Sequence, residues 1–116
     1  MKILHYSILA TLLVLIYPSN VFAQSKYVIQ GFMSDFDSNS LNQRTNDLKS
    51  DLNCEVVRLD AISQRFFIIR SFDSRPSQLE VKNLLVNYLG VTSCIQIHLM
   101  GSEPVAKYPF TNCEND

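Results

Sequence analysis

The chain contains no CxxC pair, no Asn-x-Ser/Thr sequon, no heptad or longer repeat, and no acidic or basic block at either end. Each absence removes a class of protein. Without CxxC, neither a thioredoxin-like redox pair nor a zinc ribbon is supported. Without a repeat, solenoids and coiled coils are excluded. Charge of one sign is also scarce, the net value being −1 over 116 residues. Beyond residue 23, nine Lys and Arg face eleven Asp and Glu, so the clustered cations that a duplex nucleic acid demands are missing. Histidine is almost absent there: His98 is the only one after His5. No nucleophile elbow surrounds any serine, and the chain is read as non-enzymatic.

What is present begins with a leader. Lys2 supplies a positive start, and Ile8 to Tyr17 is an apolar stretch broken only by Thr11. Val21-Phe22-Ala23 then offers small residues at the third and first positions before a cut. The apolar stretch is half of the roughly 20 residues needed to span a bilayer. Residues 1–23 are therefore expected to be a signal peptide, with Gln24 opening a secreted or periplasmic chain that has no membrane anchor after cleavage. Export makes disulfides expected. Cys54, Cys94 and Cys113 are odd in number, so one bridge leaves one thiol over, and three pairings are open.

The rest alternates between two periods. Lys26 to Phe32, Glu55 to Asp60, Arg65 to Phe72 and Ser93 to Met100 have β-branched, aromatic or alternating patterns and predict strands. The four consecutive apolar residues Phe66 to Ile69 predict a central strand covered on both faces. Leu41 to Leu52 has a thin helical stripe through Leu41, Thr45, Leu48 and Leu52, with Asp37 or Ser38 as its expected N-cap. Ser77-Gln78-Leu79-Glu80 matches a capping box that opens a second helix. Val81, Leu84, Leu85 and Tyr88 are its expected buried face, and Gly90 its stop. Residues 101–116, with Pro104 and Pro109 and no period, predict an irregular tail. The order strand, helix, strand, strand, helix, strand over residues 24–100 predicts an α+β ferredoxin-like βαββαβ domain. In that arrangement a four-stranded antiparallel sheet carries two helices on one face.

Two families share features with this pattern. Val28-Ile29-Gln30-Gly31-Phe32-Met33-Ser34, Val57-Arg58-Leu59-Asp60 with Phe66-Phe67-Ile68-Ile69, and Leu84 to Gly90 resemble the strand, hairpin and second helix of the heavy-metal-associated domain of copper chaperones. That family holds soft metals through CxxC in the loop after Gly-Met. Here the loop is Ser34-Asp35-Phe36-Asp37-Ser38, so no metal site is carried over. Tyr27-Val28-Ile29-Gln30 and Phe67 to Ser74 resemble the sporulation-related repeat, which implies peptidoglycan as an alternative ligand.

In the register that the resemblance implies, Phe66 and Ile68 face the helices. Phe67 and Ile69 join Val28 and Val56 on the opposite face, an apolar patch that Val105, Tyr108 and Phe110 of the tail can fold over. Cys94 lies on that face, so Cys94–Cys113 is the preferred bridge and Cys54–Cys113 its rival. The interaction surface is therefore expected at Val28, Val56, Phe67, Ile69, Tyr108 and Phe110, serving a protein partner or self-association. Cys94, His98 and Met100 share one face of the last strand, and thiolate, imidazole and thioether suit copper or zinc. Cys94 and His98 are about 13 Å apart along an extended strand, too far to share one ion without a bend. No cofactor is expected, and soft-metal handling stays the minor alternative. Asp35 and Asp37 lack the glycine turn and distal glutamate of a calcium loop and are read as turn and capping residues. Arg58, Arg65, Arg70 and Arg75 are read as solvated strand and turn residues.

Overall fold

A computed structural model describes residues 24–34, 38–110 and 113. The expected leader, the loop residues 35–37 and most of the last six residues lie outside the described residues. The elements run β1 (Ser25–Met33), a short 3-10 turn (Ser38–Ser40), α1 (Leu41–Asp51), β2 (Val56–Asp60), β3 (Arg65–Phe72), α2 (Gln78–Leu89) and β4 (Thr92–Leu99). All pairings are antiparallel, and the strand order is β2-β3-β1-β4. The described residues are thus α+β, with one four-stranded sheet and two α-helices.

The core lies between the helices and one sheet face. Tyr27 and Ile29 of β1, Val57 of β2, Phe66 and Ile68 of β3 and Ile95 of β4 pack with Leu48 of α1 and Val81, Leu85 and Leu89 of α2. Period-2 alternation in the strands and period-3.6 spacing in α2 bring these side chains onto one layer. Leu84 and Tyr88 are only half-buried, and Leu89 takes the place expected for them. α1 buries Leu48 alone. Its cap is Ser40 and not Ser38, because the 3-10 turn uses Ser38 to Ser40 before the helix opens. The Ser40 hydroxyl accepts from Arg44 Nε at 2.9 Å and makes no bond to the helix backbone. At α2 the Ser77 hydroxyl accepts from the Glu80 amide at 3.1 Å, so the expected cap is in place. Gly90 ends the helix with φ +73°.

One local departure from alternation shapes the far face. Between β1 and β4 the register passes from Gln30↔Gln96 to Phe32↔Ser93, so β1 spends Gly31 where β4 spends Cys94 and Ile95. This is a β-bulge, with Cys94 at φ +53°. The extra residue reverses the phase of β4 beyond it. Ser93 now pairs with Phe32, and Thr92 pairs with the buried Met33 and is itself 1 % exposed, its hydroxyl lacking a partner.

Candidate functional site

The helix-free face of the sheet is a grid fixed by register, because directly paired residues point to the same side. One row across β2, β3, β1 and β4 is Val56, Ile69, Val28 and His98; the next is Arg58, Phe67, Gln30 and Gln96; the third is Asp60, Arg65, Phe32 and Ser93. Apolar, polar and charged rows therefore succeed one another along the strands.

The tail crosses the β1–β4 half of this grid. Cys113 is bonded to Cys94, with a Cα–Cα separation of 4.6 Å. Gln30 Nε2 donates to the Ala106 carbonyl at 3.1 Å, and the Ala106 amide donates to His98 Nε2 at 3.2 Å. Further on, Tyr108 and Phe110 meet Phe32 edge-to-face at 6.3 and 5.9 Å, and the Arg65 guanidinium lies 4.0 Å over the Tyr108 ring. An aromatic cluster and the Cys94–Cys113 bridge, the pairing preferred from the sequence, hold the tail on the sheet. Val28, expected on the interaction surface, is 3 % exposed and so takes no part in one. Val56, Phe67, Ile69 and Phe110 are half-buried, and Tyr108 is exposed. β3 is interior to the sheet, yet Phe67 and Ile69 on its helix-free side are half-buried, less covered than expected.

The β2–β3 half holds a hollow of about 240 Å³ whose lining includes Gln30, Arg58, Asp60, Arg65, Phe67 and Phe110. Both Asp60 oxygens are committed, Oδ1 to the Ile62 amide at 3.0 Å and Oδ2 to the Ser63 hydroxyl at 2.8 Å. The Ser63 bond first, then the Ile62 bond, hold the Asp60 carboxyl below its ordinary range, so it stays ionised. Arg58 is exposed and has no partner among the described residues.

No family model matches the chain, and neither does any curated protein or solved structure.

The other arginines are clamps, which sequence reading missed. Arg70 Nε donates to the Leu52 carbonyl at 2.7 Å and its guanidinium lies 4.5 Å over Phe72. Arg75 donates to the Ile97 carbonyl at 3.2 Å and pairs with Glu103, while Gln78 Nε2 donates to the Ile95 carbonyl at 3.1 Å. These two side chains occupy carbonyls on the outer edge of β4, where an edge strand otherwise offers itself for pairing. A second hollow of about 360 Å³ lies there, but its arginine is already paired.

Cys94, His98 and Met100 do not come together as a metal site. The Cys94 sulfur is in the bridge, His98 Nε2 accepts from the tail, and Met100 lies beyond the end of β4, half exposed. Among the described residues no group of three His, Cys, Asp or Glu could hold an ion. Cys54 is the free thiol; it is buried, which raises its pKa against the opposing pull of Arg70.

The His98 contact carries a pH prediction. Burial, and then the Arg75 charge, lower its pKa below the ordinary 6.5. In the window below 6.5 the unfolded or undocked chain therefore binds the proton first. Tail docking is at full strength above that value and weakens as pH falls through the window. Exchange of the Ala106 amide is expected to lose protection between neutral pH and pH about 5, and H98A is expected to flatten that dependence. An Ala106 protection that ignores pH would remove His98 from the tail's anchorage.

Proposed function

We propose that the chain is an exported, non-enzymatic binding module that docks a polypeptide on the β2–β3 half of its helix-free sheet face. The observation that carries the reading is the hollow of about 240 Å³, in which Arg58, without a partner among the described residues, stands beside Phe67 and Phe110. Aromatic and arginine side chains around a concavity are the usual anchors of protein interfaces. The intramolecular bridge accords with an oxidising compartment, and among the described residues no helix is long and apolar enough to cross a membrane. The order β2-β3-β1-β4, with both interior strands flanking the hollow, supports a ferredoxin-like arrangement akin to the heavy-metal-associated module without its metal pair.

A photoreactive benzophenone side chain replacing Phe67, in the chain expressed for export, tests this directly, with the same group replacing Leu79 on α2 as the control. A discrete polypeptide adduct from position 67 alone is expected. A product of twice the chain's mass would make a second copy the partner. No adduct, together with cosedimentation of the chain with purified peptidoglycan, would replace the reading with glycan binding.

A further inference from the structure

We propose that the hollow between Arg58, Arg65 and Phe110 takes the C-terminal residue of the partner polypeptide, its carboxylate toward the guanidiniums and an apolar side chain against Phe67 and Phe110. This inference rests on the docking reading above and names the chemistry of the occupant.

Charge points to an anion. Two arginines in the lining face one carboxylate, that of Asp60, whose oxygens accept from the β2–β3 turn and whose charge offsets that of its cross-strand neighbour Arg65, so one positive charge is in excess. Neither arginine forms an ion pair among the described residues, in contrast to Arg75 beside the other hollow, which pairs with Glu103. Arg65 is held in place by Ser63, to which its Nε donates at 3.0 Å, and by stacking on Tyr108. Arg58 is left as the guanidinium that can close on a carboxylate with two parallel N–H bonds.

Size and polarity narrow the anion. The hollow of about 240 Å³ lies below the roughly 300 Å³ at which drug-sized pockets begin and matches the scale of a single residue. Phe67 and Phe110 line it beside the cations, a pairing that a phosphate or an aspartate side chain would leave half used. A terminal residue with an apolar side chain brings carboxylate and hydrocarbon together on a single unit, and capture of a free C-terminus is an established recognition mode.

The test is an amide-shift titration of the exported, oxidised chain with N-acetyl-L-phenylalanine, with its neutral primary amide, and with N-acetyl-L-glutamic acid α-amide as a side-chain carboxylate. Saturable shifts at Arg58, Phe67 and Phe110 are expected with the first at roughly millimolar strength, as for other ligands of this size. The neutral amide is expected to bind about tenfold more weakly, and the glutamate derivative more weakly than the terminal acid. R58Q should erase the preference for the acid, and R58K should restore part of it. Equal shifts from acid and amide, no shift at those three residues, or undiminished binding by R58Q would each overturn the inference. Tighter binding of the glutamate derivative would move the source to an internal acidic residue and likewise overturn the terminal assignment. Adducts from position 67 without acid binding would sink this inference alone. Acid binding without adducts would sink the polypeptide reading and leave a small-carboxylate site.

Discussion

Combining Cys94→Ser with Cys113→Ser is expected to cost about 3 kcal/mol of stability, on the chain-entropy estimate for a loop of this length. The bridge spans 19 residues and closes a loop that holds the described tail, so its loss widens the unfolded ensemble and frees a segment that few other described contacts retain. Ala106 keeps its hydrogen bonds to Gln30 and His98, and Tyr108 and Phe110 keep Phe32, but these are surface contacts whose docking must offset the entropy of ordering the segment. Urea unfolding of oxidised parent and double variant measures the difference. Equal midpoints would mean that ring stacking alone fixes the tail.

The same variant reports on the candidate site, because Phe110 is one wall of the hollow and sits three residues before Cys113. Trypsin supplies a local readout: Lys107 is exposed in the tail, and cleavage there is expected to accelerate many-fold once the bridge is gone. Cys54→Ala is the control, since Cys54 is buried away from the bridge as a free thiol. Its oxidised mass should stay two hydrogens below the reduced one.

Much of this architecture is legible in the sequence where a single element decides its own fate. The alternation of Arg65 to Phe72 divides Phe66 and Ile68 from Phe67 and Ile69, and the Ser77 hydroxyl does cap the helix it precedes. What escapes is decided between elements. Nothing near Arg75 in the chain announces that it will meet Ile97 and Glu103, and Arg65 finds Tyr108 only after the tail has crossed the sheet. Val28 is a similar case: its own strand places it on the helix-free face, yet it is 3 % exposed. The hollow likewise joins residues from three strands and the tail, so no spacing along the chain could have outlined it. The register implied by the resemblance did place Val28, Val56, Phe67 and Ile69 together on the helix-free face.

The bulge opposite Gly31 is a further feature that alternation hides, and Gly31→Ala is expected to cost about 1–3 kcal/mol by overpacking it. A Cβ at this position would lie 2.8 Å from the Ser93 carbonyl oxygen and 2.9 Å from Cε1 of Phe66. The two neighbours differ in their ability to yield. Phe66 is a fully buried core ring that can be trimmed by mutation, whereas the Ser93 carbonyl belongs to the bulge backbone and moves only if the Phe32↔Ser93 pairing moves. F66L in the G31A background should therefore recover part of the loss, a coupling of about 0.5 kcal/mol or more by double-mutant cycle in urea. Complete recovery would show that the ring alone carries the clash. A displaced bulge would also turn Cys94, which sits in it at φ +53°, away from the tail, so the fraction of G31A chains that form the Cys94–Cys113 bridge should fall in a thiol-alkylation assay. Loss of stability with normal bridge formation would separate the two effects and confine Gly31 to packing. Loss of both would make this glycine the residue through which β1 sets the tail, and with it the wall of the hollow.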